Sequence, residues 1–143
     1  MDSHPRTEVD FNRIGRGHLP GHLGVEIISI GPGEVRARLE VEPLHLAPHG
    51  YLHAASVVAL ADTACGYGCI ASLPDGGRFT TIELKANFLG TARDGALACE
   101  ARLVHGGRTT QVWDATVTDE RTQRTVALFR CTQMVLWPRA AAR

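Results

Sequence analysis

A chain of 143 residues that is 44% apolar can build one compact core and is too short for two ordinary domains. Its 15 basic and 15 acidic side chains cancel, and neither sign collects into a run. This argues against a nucleic-acid-tracking groove or a membrane-surface protein and leaves a small molecule or a second copy of the chain as partner. The opening "MDSHPRTEVDFNRIGRGHLPGH" has no apolar signal core, and no segment supplies the eighteen or so uncharged apolar residues of a membrane span, so the cytoplasm is the expected compartment.

Taken in chain order, residues 1–16 and 138–143 read as loosely held tails around a folded domain at 17–137. A first strand is predicted at 24–30 and is turned by "GPG" into "GEVRARLEVE". There Val35, Ala37, Leu39 and Val41 alternate with Arg36, Arg38, Glu40 and Glu42, the period-two pattern of a strand with one buried and one wet face. Such a pattern implies an antiparallel sheet with one solvated side. Residues 53–71 break the alternation: "HAASVVALADTACGYGCIA" is alanine-rich and apolar almost all round, so as a helix it must be buried on most sides. Gly66 and Gly68 weaken helix propensity but would let another backbone approach closely. Four more strands follow, at 78–89, 96–105, 108–120 and 123–136, joined by connections short enough for antiparallel neighbours. The expected α+β fold is two strands, a central helix and four strands, with one antiparallel sheet curled around the helix.

Three histidines, at 45, 49 and 53, have the spacing that would align them on one helix face for metal ligation, but Pro48 and Gly50 put them on a loop, and no metal site is expected. The four cysteines, at 65, 69, 99 and 131, contain no Cys-x-x-Cys pair and read as small buried side chains. Asp62 is harder to place. As the lone carboxylate of an apolar helix it either faces solvent or a sheet arginine, or serves a function that offsets its desolvation. His53 and Asp62 lie two and a half helical turns apart, on opposite faces and about 13.5 Å along the axis. If both serve one site, that site lies between two copies in a twofold dimer.

The stretch "GYLHAASVVALADTACGYG" resembles the helix-start motif of the hot-dog-fold acyl-CoA thioesterases, the phenylacetate-degradation and 4-hydroxybenzoyl-CoA thioesterase group. Their usual form is His-Gly-Gly with Asp or Glu nine residues after the histidine, in a context like "LADTA", here residues 60–64. The likeness runs over about residues 20–137 and takes in "LGVEIISIGPGEVRARLEV" and "TTIELKANFLGTA". It implies a hot-dog fold, hydrolysis of an acyl-CoA or aryl-CoA without a cofactor, and a homodimer or a tetramer made of two dimers. Asp62 would be the general base or nucleophile, Ala54 the amide that holds the thioester oxygen, and His53 the residue fixing the helix start. A first-turn amide lacks an intrahelical acceptor and sits at the positive end of the helix dipole, which suits an oxyanion. Thr81 falls where the family often has a hydroxyl that positions the carboxylate or its water, and it reads equally as an ordinary strand threonine.

This sequence departs from the family pattern in three places. Ala54-Ala55 replaces Gly-Gly, narrowing the space for a carbonyl. Ala47 stands where many members carry asparagine, with His49 two residues along as a substitute and Tyr51 beside it as a further substrate contact. Gly90-Thr91-Ala92 replaces the common Arg-Pro-Ala, leaving Arg93 and Arg108 as candidate contacts for the coenzyme A phosphates, or as solvated surface charges. The alternatives from other classes are a catalytically silent acyl-CoA-binding module and a hot-dog dehydratase or hydratase.

Overall fold

A computed structural model describes residues 3–139. Six strands form one antiparallel sheet: β1 (Glu26–Gly31), β2 (Glu34–Glu40), β3 (Arg78–Phe88), β4 (Ala96–Gly106), β5 (Thr110–Asp119) and β6 (Thr125–Leu136), in the order β1-β2-β4-β5-β6-β3. Helices α1 (Glu8–Gly15) and α2 (Leu19–Leu23) precede the sheet, and α3 (Ala54–Ser72) lies against its inner face. From β1 onward this is the element order read from the sequence, but α1 and α2 are additional to it, and β3 pairs with β6 rather than with its chain neighbour β4. The alternation also holds: Val35, Ala37 and Leu39 point inward from β2, and Gln111, Trp113, Ala115 and Val117 from β5.

Inward side chains of the strands close over Val57, Leu60, Ala61, Ala64 and Cys65 of α3, all buried. Alanines on that face keep helix and sheet close. By length and composition α3 is the one helix among the described residues that could cross a membrane, and its wrapping by the sheet accounts for the same apolarity. The two helical glycines serve aromatic rings rather than an approaching backbone. A Cβ at Gly66 would overlap the Phe79 ring, and one at Gly68 the Trp113 ring. The large rings that fill the space between helix and sheet therefore require the missing side chains.

Residues 3–16 are not a loose tail, and residues 1 and 2 lie outside the described residues. Thr7 and Asp10 form a capping box at the start of α1, and Phe11 is fully buried with its ring stacked on Tyr67 at 4.6 Å between centroids. Burying a phenylalanine contributes about 2–3 kcal/mol, enough to order a short segment that also makes polar anchors. Asn12 bonds both the N–H and the C=O of Ile27. Arg6 Nη1 donates to the carbonyls of Ala71 and Leu73, capping the C-terminal end of α3. At the other end, Pro138 and Arg139 have no regular structure, and 140–143 lie outside the described residues.

Candidate functional site

The start of α3 is held by its own entering loop. His45 is buried, with Nδ1 accepting from the Glu42 N–H and Nε2 donating to the Leu23 carbonyl, while its own carbonyl accepts from Ser56 Oγ and the His53 N–H. His53 caps the helix, its Nδ1 accepting from the Ala55 N–H at 2.9 Å. The Ser56 N–H turns back to the His53 carbonyl. The Ala54 amide is thereby left without an acceptor among the described residues, at the positive end of a 19-residue helix. The three histidines go to separate partners, His49 Nδ1 accepting from the Tyr51 N–H, and do not converge.

A cleft of about 540 Å³ opens at this helix start. The predicted residues His49, Tyr51, His53 and Ala54 all line it, together with the apolar walls Leu52, Val57 and Phe88. Arg93 does not line it but packs on Tyr51, which does, with the guanidinium 4.3 Å from the centre of the Tyr51 ring. Arg108 is elsewhere: it follows β4 and its carbonyl accepts from the Trp137 indole. Its end of the sheet, where Thr110 faces Met134, is separated from the Phe88–Ala127 end by seven residues of β6, about 23 Å.

Asp62 does not line that cleft. It lies eight residues beyond Ala54, about 12 Å along the helix axis. Its Oδ1 accepts from Thr81 Oγ1 at 2.9 Å, and Thr81 Oγ1 is also 2.8 Å from the amide of Gln133. Among the described residues no cation pairs with Asp62. Burial pushes its carboxyl above the ordinary aspartate value, and the hydrogen bonds from Thr81 and Gln133 oppose that rise without cancelling it. A carboxylate of this kind is both a costly group to keep and a better base than a solvated aspartate. One protomer therefore carries an amide-lined cleft and a desolvated carboxylate that it does not bring together.

Sequence reasoning missed Gln133. It is completely buried and stands directly opposite Thr81 in the β3–β6 register, just before the bulge at Ile82. The signal was present: the inward residues of β6 run Ala127, Phe129, Cys131, Gln133 and Val135, with one polar member. The cysteines are buried free thiols, as expected; burial pushes Cys69 and Cys99 up to about 12.

The model of the thioesterase superfamily matches residues 49–126. The chain belongs to the thioesterase superfamily. It is a thioester hydrolase with a hot-dog fold, which sets aside the catalytically silent alternative. This thioesterase is 34% identical over 110 residues to a 1,4-dihydroxy-2-naphthoyl-CoA hydrolase from Listeria monocytogenes, covering 77% of this chain and 89% of that one. A thioesterase from Haemophilus influenzae superimposes with a TM-score of 0.86 at 27% identity, over 95% of both chains. The E. coli PaaI protein of the phenylacetic acid degradation operon gives 0.75 at 29% identity, over 82% of this chain and 83% of its own.

Proposed function

We propose that this protein hydrolyses the thioester of an acyl-CoA with a bulky apolar acyl group, aryl groups included, at a site shared between two protomers. The observation that supports it most is Asp62, a desolvated carboxylate held by Thr81 and Gln133. Asp62 of one protomer takes a proton from water as the water oxygen attacks the thioester carbonyl. The Ala54 N–H of the other protomer holds the oxyanion that forms. When the carbon–sulfur bond breaks, the proton returns from Asp62 to the departing thiolate, giving the acid and free coenzyme A. His53 fixes the donor by occupying the neighbouring Ala55 amide. Tyr51, His49 and the walls of the cleft take the acyl end, and Arg93 takes phosphate charge. The naphthoyl-CoA hydrolase relative and the apolar Leu52, Val57 and Phe88 together favour an aromatic acyl group.

The dimer is supported by β3, an edge strand that exposes Ile82, Leu84 and Phe88. An open apolar edge is a liability that pairing with a second copy removes. Dimers pairing further into tetramers and a cytoplasmic location complete the proposal.

Mixed assembly tests the shared site. Ala54→Pro deletes the amide at a position suited to proline: the first turn of the helix, preceded by His53 in extended conformation at φ −70°, ψ 133°. Ala54→Pro chains and Asp62→Asn chains, each folded and inactive, are unfolded together and refolded. Half of the dimers are then mixed, each with one intact site of two, so roughly a quarter of wild-type activity returns. A mixture that stays dead, under conditions where wild-type chains exchange, places both groups in one subunit.

A further inference from the structure

We propose that Gln133 is a positioning residue for thioester hydrolysis, acting on Asp62 both directly and through the Thr81 hydroxyl to hold it in the form that accepts a proton. The inference rests on the reading of Asp62 as the base.

Proton counting carries the argument. Thr81 Oγ1 lies 2.9 Å from Asp62 Oδ1 and 2.8 Å from the amide atom placed as Gln133 Oε1, while the atom placed as Gln133 Nε2 is 3.3 Å from Cys131 Sγ; exchanging the two amide atoms leaves all three distances unchanged. A hydroxyl has one proton and cannot donate to two acceptors. With the amide oxygen toward Thr81, the hydroxyl must choose between Gln133 and Asp62, and an ionised Asp62 competes with a buried carbonyl for it. With the amide nitrogen toward Thr81, each bond of the chain has its own proton, and the second Gln133 N–H is left to Asp62 itself. Cys131 S–H donates to the Gln133 oxygen, Gln133 N–H donates to Thr81, and Thr81 O–H donates to the carboxylate. Which amide atom faces which partner is fixed by such a network. The second arrangement satisfies the ionised base, and aligned hydrogen bonds polarise one another in its favour.

The surroundings leave few other influences on Asp62. From β3 it meets Thr81, from β6 Gln133 with Cys131 behind it, and from its own helix Cys65. The Cys65 thiol stays protonated, held by its hydrogen bond to Cys131 and by burial. No charged side chain among the described residues pairs with Asp62, so its ionisation is left to this chain of neutral donors. A fully buried glutamine opposite Thr81 would otherwise be a costly choice on the inward face of a strand.

The test replaces Gln133 with methionine, which keeps the side-chain volume, and with leucine as a second variant should the first fail to fold. Two quantities are measured: the carbon NMR titration of the Asp62 carboxyl and the pH dependence of kcat on a fixed acyl-CoA. Loss of the amide donor moves both Asp62 titration and the acid limb of kcat to higher pH by about one unit. At a pH about one unit below the wild-type midpoint kcat falls nearly tenfold, and just above the limb only about twofold, while KM stays within twofold. A merely structural glutamine would lower stability and leave both curves in place, and that result overturns the proposal. So does a shift to lower pH, which means that the amide oxygen had been drawing the Thr81 proton away. If the NMR titration moves and the kinetic limb does not, the Gln133–Thr81–Asp62 chain stands and the reading of Asp62 as base is overturned.

Discussion

Asp62→Asn should make the protein more stable at neutral pH while reducing turnover a hundredfold or more. The substitution keeps the shape and a carbonyl acceptor for Thr81 but removes a charge that is half-buried with no cation beside it. Because burial raises the folded-state pKa of Asp62, folding favours its neutral form. The sign follows by linkage. Below the unfolded-state pKa both states are protonated and the aspartate costs nothing. As pH rises through the folded-state pKa the folded protein must ionise a desolvated group, and that stability is lost. Asparagine never pays this penalty, so its advantage is absent in acid and complete near neutrality. Relief of a functional carboxylate of this type is worth about 1–2 kcal/mol. For 143 residues the unfolding entropy is roughly 0.3 kcal/mol per kelvin, so the melting temperature should rise by about 3–6 °C at pH 7 and converge with wild type below about pH 4. Thermal melts at several pH values, alongside acyl-CoA hydrolysis read with a thiol reagent, check both halves. A variant that is less stable at every pH, or whose advantage does not change with pH, would refute the desolvation argument. One that keeps its rate within threefold would remove Asp62 from the chemistry.

Gly68→Ala should lower stability by about 2–3 kcal/mol, because the new methyl lands on the Trp113 ring, and Trp113→Phe should recover part of the loss; melts of the single and double variants measure both. Arg93→Ala should raise KM for acyl-CoA about fivefold with kcat within twofold, and the effect should vanish on a pantetheine thioester that lacks the nucleotide phosphates; an equal loss on both substrates would mean that Arg93 acts only by holding Tyr51.

The strands were legible because one face is wet: Arg36 and Arg38 mark the outer side of β2 as clearly as Val35, Ala37 and Leu39 mark the inner. The central helix was legible for the opposite reason, since it has no polar side at all apart from Asp62. The ordered N-terminus was hidden because one aromatic, Phe11, carries its burial in an otherwise polar stretch. The glycines of α3 were correctly read as sites of close approach, but spacing cannot say whether a backbone or a ring arrives; here the rings of Phe79 and Trp113 do.

Gln133 was hidden by topology. Neighbours in sequence suggest that β3 pairs with β4, whereas α3 carries the chain from β2 to the far edge of the sheet, where β3 pairs with β6 and sets Thr81 opposite a residue 52 positions away. That crossing also leaves Asp62 beside an edge of the sheet. Thr81 belongs to the edge strand, so Asp62 is shielded from its own chain's side and is only half-buried overall. In the proposed dimer whatever covers the β3 edge also removes more water from Asp62. Assembly then raises the pKa of the base further and strengthens the oxyanion contact from the same partner, since both interactions grow as the dielectric falls. In that dimer the free energy released by β3 pairing would offset the cost of the desolvated carboxylate.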